Sequence, residues 1–156
     1  MLTIKDARFL SKKIIETSSK VQGVELFGSV LKNGSGHDVD LILIVNDNLS
    51  HRFWSVTADI IPKWPARLMW FRNLIKFFLP FLDQAFIWRR KRSRQLRASN
   101  LIGLDLARLA EQYRPGTIID VWLMPDNWQL RIVDITDNKN MTLFLKAAAS
   151  SALKIA

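Results

Sequence analysis

Two aspartates separated by one residue are the side chains in this sequence best suited to chemistry. Asp38 and Asp40 open an apolar run over residues 39–45. Side chains two apart in a strand share a face, so the carboxylates are expected to project together, with Cβ atoms roughly 6–7 Å apart. Unpaired, they would repel by about 2–3 kcal/mol at an effective dielectric near 20. A divalent cation offsets such repulsion, and oxygen ligands suit Mg²⁺ or Mn²⁺.

A Gly-Ser pair and a third acid extend this pattern. Gly28 lacks a Cβ, so its backbone can approach a phosphate closely. Ser29 offers a hydroxyl and a backbone N–H at the start of a predicted helical turn, where anions bind favourably. Asp120 interrupts an apolar strand predicted over residues 117–124. If the two apolar strands are neighbours in one sheet, three carboxylates converge at one end of it.

This arrangement resembles the nucleotidyltransferase superfamily that includes DNA polymerase beta, and its small stand-alone members, the minimal nucleotidyltransferases, above all. The family pattern is an apolar residue, Gly-Ser, a loop, Asp-x-Asp on a strand and an Asp on a later strand. The matching residues are Phe27, Gly28, Ser29, Asp38, Asp40 and, by inference, Asp120. The resemblance implies an α/β (α+β) nucleotidyltransferase fold, with a small mixed β-sheet, helices mainly on one face and an enlarged helical insertion between the second and third core strands.

The resemblance also implies an activity. The enzyme would move a nucleoside monophosphate from a nucleoside triphosphate (NTP), such as ATP, to a hydroxyl acceptor and release pyrophosphate. Asp38, Asp40 and Asp120 would hold Mg²⁺ or Mn²⁺, and Asp120 would complete a second metal site or accept the acceptor's proton. Gly28 and Ser29 would bind the triphosphate. Some minimal members are partners in toxin–antitoxin pairs and modify a protein tyrosine, so the candidate acceptors are an RNA end, a partner protein and, third, a drug or other small molecule.

The composition of the 156 residues predicts one globular domain over 1–156, with ordinary apolar and charged shares of 49% and 24%. The sequence has no cysteine and two histidines, which excludes thiolate sites and argues against a multi-histidine zinc site. The start of the chain lacks a signal-peptide layout, and a reducing, cytoplasmic location is expected. A membrane span is not expected, because charges and a proline interrupt the most apolar stretch.

The net charge of +9 comes from the middle of the chain. Residues 51–100 carry eleven basic and two acidic side chains, whereas the segments on either side are balanced. Residues 50–98 are therefore predicted to form a basic, aromatic-rich helical insertion. Its densest run offers a contact for RNA or another anion through Arg89, Arg90, Lys91, Arg92 and Arg94.

Other interpretations stay open at this point. The basic run is also compatible with an ordinary solvated helix face, or with contact to a membrane surface. Asp120 could pair with a buried arginine instead of serving catalysis. The alternative function is a non-catalytic module that keeps the nucleotidyltransferase fold and binds a toxin–antitoxin partner, nucleic acid or a membrane surface.

Periodicity and capping signals predict the remaining elements. A helix over about 4–19 follows a Thr3–Asp6 capping box. Ser99 is expected to cap a later helix. A loop is predicted over 33–36, a possible third strand over 129–133 and an alanine-rich helix over 141–155.

Overall fold

The computed structural model describes the backbone of residues 1–60 and 80–156, and the side chains of 1–55 and 87–156. The predicted insertion over 50–98 therefore lies partly outside the described residues. In chain order the elements are β1 (Leu2–Thr3), α1 (Ile4–Thr17), β2 (Gly23–Phe27), α2 (Gly28–Asn33), β3 (Ser35–Gly36), β4 (Asp38–Ile44), α3 (Asp47–Ile60), α4 (Pro80–Ile102), α5 (Leu106–Tyr113), β5 (Ile118–Met124), a 3-10 helix (Trp128–Leu130), α6 (Ile132–Ile135), α7 (Lys139–Ala149) and β6 (Leu153–Lys154).

The main sheet has four strands in the order β5-β4-β2-β6. β4 and β5 run parallel, and β2 is antiparallel to both of its neighbours. Consecutive strands in a parallel pair require a crossover, and the described helices α3, α4 and α5 lie between β4 and β5 in the sequence. The mixed α/β class expected from the sequence is therefore present, with helices inserted between these two strands. β1 and β3 form a separate two-stranded antiparallel ribbon.

Side chains on both faces of the central strands are buried. Leu41 and Leu43 on one face of β4 are fully buried, and so is Ile42 on the other, at 1% exposure. The face that carries Ile42 is covered in part by aromatic side chains from helices: Trp122 of β5 stacks on Trp54 of α3 and contacts Phe144 of α7. The sequence predicted helices mainly on one face, whereas the described part of the fold has cover on both.

The N-terminal helix forms as its cap predicts. The Thr3 side chain accepts a hydrogen bond from the Asp6 backbone, and the Asp6 carboxylate accepts one from the Thr3 N–H at 2.6 Å. This reciprocal pair is a capping box, which satisfies two N–H groups that the first helical turn leaves free. The helix buries Ala7, Leu10 and Ile14 against the core and ends at Thr17, two residues earlier than predicted.

Four local predictions differ from the structure. The possible strand over 129–133 is wrong, because the 3-10 helix and α6 occupy this region and Leu130 is 87% exposed. The C-terminal helix ends at Ala149, and the chain then turns back to form β6. The predicted loop over 33–36 contains β3 after Gly34 ends α2.

The fourth difference concerns Ser99, which lies inside α4. The next helix, α5, is capped by Asp105, whose carboxylate accepts a hydrogen bond from the Arg108 N–H at 3.0 Å. The Ser99 hydroxyl still contributes, because it accepts a hydrogen bond from the Leu106 N–H at 3.1 Å. The Ser99 hydroxyl thus binds the first residue of α5, as a capping side chain would. Ser99 itself lies in α4, before the break at Gly103.

None of the helices in the described parts of the chain is both long and apolar enough to cross a membrane.

Candidate active site

The sheet register brings the three predicted acids together. Asp38 and Asp40 lie two residues apart at the start of β4, and Asp40 is the direct register partner of Asp120 in the parallel strand β5. Register partners in neighbouring strands point to the same face, so all three carboxylates share one face at one end of the sheet. The face continues through Trp122, two residues after Asp120.

Two cations from α4 point into this cluster. The Lys91 ammonium contacts the Asp38 carboxylate and lies 3.8 Å from Asp40 Oδ1 and 3.7 Å from Asp120 Oδ2. Arg94 binds Asp120 with two hydrogen bonds, of 2.9 Å and 2.7 Å. The two cations lie three residues apart, so one helix face presents both. We call these five side chains the acid cluster.

The acid cluster is largely removed from water. The exposed fractions of its carboxylate side chains are 20% for Asp38, 13% for Asp40 and 6% for Asp120. The Arg94 guanidinium stacks over the Trp122 ring, 4.4 Å from its centroid. An aromatic face under a guanidinium both holds its plane and excludes solvent, so Arg94 is fixed in position toward Asp120.

The crowding of carboxylates changes the proton affinity of the central one. Burial raises the pKa of Asp40 to about 7, and the neighbouring charges of Asp38 and Asp120 add to the rise, against the opposing effects of Lys91 and of a hydrogen bond from the Ser29 backbone. Burial works against the charged form of Lys91, but its hydrogen bond to Asp38 and the other carboxylates outweigh burial and raise its pKa. The three carboxylates therefore carry more negative charge than the two cations of the cluster neutralise.

Gly28 lies directly against the cluster. Its φ is +78°, and a Cβ at this position would lie 2.7 Å from the Asp40 carboxyl carbon. Glycine is therefore required both by the backbone conformation and by the space that Asp40 takes. Ser29 follows in the first turn of α2, where Phe27 and not Ser29 is the N-cap residue. A Cβ on Gly36 would lie 2.6 Å from the Ser29 hydroxyl, so a second glycine makes room for this serine.

The basic run does not face solvent as one unit. Arg89 is exposed and Arg90 is partly buried, while Lys91 points into the acid cluster. Arg92 lies over the Trp88 ring at 5.1 Å from the centroid. The sequence placed Lys91 and Arg94 in an anion-binding run and missed their pairing with the acids. Arg89 and Arg92 have the same spacing of three residues, so the sequence offered no signal that separates Lys91 and Arg94 from their neighbours.

Within the residues that the structure describes, no three acidic, histidine or cysteine side chains are arranged to hold a metal ion together. The three carboxylates of the cluster converge instead on the Lys91 ammonium. Their chemistry suits a hard cation, since all are oxygen donors with unbalanced negative charge, but the lysine lies between them. A divalent ion could bind them only after Lys91 withdraws.

No family model, curated protein or solved structure matches this chain.

Proposed function

We propose that this protein is a metal-dependent nucleotidyltransferase that moves a nucleoside monophosphate from an NTP to a hydroxyl acceptor. One observation carries the proposal: Asp38, Asp40 and Asp120 converge from two strands beside the Gly28–Ser29 turn. Three partly desolvated carboxylates next to a glycine that admits close backbone approach are what such a transfer needs. The specific nucleotidyltransferase fold is part of the proposal, and the four-stranded mixed sheet is compatible with it.

The acid cluster has a charge imbalance that a divalent ion would relieve. Arg94 donates two hydrogen bonds to Asp120. Of the two cations in the cluster, Lys91 is therefore the one that neutralises Asp38 and Asp40. Asp38, Asp40 and Asp120 would hold Mg²⁺ or Mn²⁺. When bound, the ion would neutralise charge on the triphosphate and polarise the phosphorus under attack.

The surrounding groups have roles of their own. Gly28 lets the Asp40 carboxylate lie directly against the backbone, where the Ser29 backbone hydrogen-bonds it, and the Ser29 hydroxyl is the group that would donate to a phosphate at the start of α2. Asp120, fixed by Arg94, is an acceptor for the proton of the attacking hydroxyl or a further metal ligand. Lys91, displaced from the carboxylates, stays near the site as a cation for the released pyrophosphate. The acceptor is an RNA end or a partner protein.

A second function has a specific observation in its favour. Lys91 and Arg94 already pair with all three acids, and such a closed cluster is also what a non-catalytic module would use to hold α4 against the sheet. That module would bind a toxin–antitoxin partner, nucleic acid or a membrane surface. The two functions differ in whether a divalent ion can replace the lysine.

The deciding experiment follows the fate of the α-phosphate. The full chain is incubated with each NTP carrying label at the α-phosphorus, with Mg²⁺ or Mn²⁺ and a cell extract as the source of acceptors. We expect label to appear on a macromolecule in step with pyrophosphate release, and Asp38→Asn to abolish both. The control is Asp47→Asn, because Asp47 is an exposed acid paired with Arg131 outside the cluster. Absence of transfer with every NTP, or transfer that survives Asp38→Asn, would refute the enzyme proposal.

A further inference from the structure

A small cavity lies beside the acid cluster, between α4, α5 and the start of β5. Its volume is about 190 Å³, and its walls include Trp88, Arg92, Gln95, Glu111, Thr117 and Ile118. We call it the α4 pocket. Ile118 is the register partner of Asp38, so the pocket begins one strand away from the acids.

Two different faces of α4 contribute to the acid cluster and to the pocket. Trp88, Arg92 and Gln95 are spaced by four and three residues and so form one stripe of α4. Lys91 and Arg94 form the neighbouring stripe, which contacts the carboxylates. A ligand in the pocket would therefore lie alongside anything held at the acid cluster.

Two polar atoms of residues that line the pocket are buried and have no hydrogen-bond partner in the part of the chain that the structure describes. These are Nε2 of Gln95, a residue that is only 5% exposed, and Oγ1 of Thr117. Buried polar groups in native proteins are nearly always hydrogen-bonded, so two orphans lining one cavity indicate a missing partner. The amide nitrogen of Gln95 can only donate, and the missing partner must therefore offer an acceptor.

Two of the residues that line the pocket present flat faces. Trp88 is 46% exposed, and the Arg92 guanidinium lies over its ring. Indole and guanidinium planes are the surfaces on which unpaired bases stack. The volume is smaller than that of cavities for drug-sized ligands, which suits one ring system. The Glu111 carboxylate in the wall disfavours a phosphate group there, so the phosphates would lie outside.

We propose that the α4 pocket binds a nucleobase, stacked on Trp88 and hydrogen-bonded to Gln95 and Thr117. As the base subsite of the transfer reaction, it rests on the proposed function. The base belongs either to the NTP or to the end of a single-stranded RNA acceptor, and both present ring nitrogens or carbonyl oxygens to the Gln95 amide. The pocket thus adds base recognition to a cluster that handles only phosphates and protons.

The test measures binding by the full chain of three probes: a non-hydrolysable NTP of each base with Mg²⁺, a short single-stranded RNA, and inorganic tripolyphosphate with Mg²⁺. Trp88→Ala and Gln95→Met should each weaken binding of the base-containing probe at least about fivefold, since stacking and amide contacts are lost. Neither should change tripolyphosphate binding. Gln95→Met should keep or raise the melting temperature, because it removes an orphan amide and preserves volume.

A charge-matched pair supplies the control. Arg92→Gln and Arg108→Gln each remove one positive charge from a helix that borders the pocket, but only Arg92 lies over Trp88. We expect the first to weaken base binding and the second to leave it near the wild-type value. Weakening with the NTPs assigns the base to the donor, and weakening with RNA alone assigns it to the acceptor.

The two proposals fail in different ways. Equal affinities of wild type, Trp88→Ala and Gln95→Met for the NTPs and for RNA would overturn the base pocket, whatever tripolyphosphate does. Failure of tripolyphosphate to bind the wild type with Mg²⁺ would overturn the phosphate site of the proposed function. Binding of bases that depends on Gln95 would still support the pocket in that case.

Discussion

Replacing Lys91 by methionine tests the reasoning about the acid cluster most directly. Methionine keeps an unbranched side chain and a high helix propensity, so α4 should persist, but the ammonium between the carboxylates disappears. Among the described residues, Asp38 and Asp40 then lose the cation that pairs with them, and Asp120 keeps Arg94. We expect the free energy of unfolding in metal-free buffer to fall and a divalent ion to restore it.

The expected size follows from the contacts. Each of the two contacts of 3.7 Å and 3.8 Å corresponds to about 4 kcal/mol at an effective dielectric near 20. Burial of the ammonium costs several kcal/mol in the wild type, which offsets much of this attraction. Removing one partner of a buried ion pair commonly costs about 3–5 kcal/mol, and proton uptake by Asp40 would reduce the loss. We therefore expect a destabilisation of about 3 kcal/mol near pH 8.

Urea unfolding of the wild type and of Lys91→Met, with EDTA and then with millimolar Mn²⁺, measures both parts of the prediction. Mn²⁺ should stabilise the variant more than the wild type, because in the wild type the ion must first displace the lysine. A gain of about 2.7 kcal/mol corresponds to a free ion concentration roughly 100 times the dissociation constant. The unfolding m-value should not change, since the extent of the fold is the same.

Arg89→Met is the matched control, because it removes one positive charge from an exposed position on the same helix. It should change stability by less than about 0.5 kcal/mol and should not alter the response to Mn²⁺. Equal stability of Lys91→Met and wild type in EDTA would show that Lys91 does not stabilise the carboxylates. Equal stabilisation of both proteins by Mn²⁺ would show that the ion does not compete with Lys91.

Three further outcomes are expected. Gly28→Ala should lower the free energy of unfolding by about 1–3 kcal/mol more than Gly34→Ala, because both glycines have a positive φ but only at Gly28 would a Cβ meet Asp40; equal losses would contradict that contact. Asp40→Asn should reduce the proposed transfer about 100-fold or more while leaving the melting temperature equal or higher, because it removes like-charge repulsion; full activity would exclude Asp40 from the reaction. Tyr113→Phe should cost up to about 1 kcal/mol by removing the hydrogen bond to Asp6, a value already discounted for solvent screening. Burial opposes charge on Asp6, but its hydrogen bonds lower its pKa below the ordinary 3.8, and the hydrogen bond to Asp6 raises the pKa of Tyr113 above 10.0. The pair should thus contribute its full stabilisation between pH 3.8 and pH 10.0. This stabilisation should disappear as the pH falls through the folded pKa of Asp6 or rises through the folded pKa of Tyr113. A constant difference in the free energy of unfolding between the two proteins from about pH 2 to 12, measured with urea, would argue against it.

The positions of the acids on two apolar strands were predictable because they depend on local patterns. Asp38 and Asp40 alternate at the start of an apolar run, and Asp120 interrupts another such run, so strand pairing alone can place them together. The exact register is not visible in the sequence, since the residues on either side of Asp120 are apolar and would be tolerated beside Asp40. The pairing of Asp120 with an arginine, one of the alternatives that the sequence allows, coexists with its proximity to the other acids.

The direction of the basic side chains was not predictable. A run of five cations in six positions carries no marker of which ones turn inward, because the outcome depends on how α4 lies across the sheet. Lys91 and Arg94 face the acids, while Arg92 takes the Trp88 ring. Long-range packing decided this choice, and the charge pattern alone favoured a solvated or anion-binding face.

The error over residues 129–133 has a different origin. Gln129, Leu130 and Arg131 alternate in polarity like a strand, but Asn127 adopts a left-handed conformation with φ of 54° and starts a 3-10 turn. The Trp128 indole donates a hydrogen bond to the Glu25 carboxylate at 3.1 Å, which holds this turn against β2. A tertiary contact with a distant strand thus overrode the local alternation.

Because Asp40 pairs in register with Asp120, the acid cluster forms only when β4 and β5 are correctly aligned. A slip of β5 by one residue would turn Asp120 toward the opposite side of the sheet and leave an apolar residue beside Asp40. The strands are far apart along the chain, so their closure is a long-range event that local helices cannot replace. A reaction at the acids would consequently not occur in misregistered conformers. The specific activity of a preparation would therefore be proportional to its fraction of correctly folded molecules.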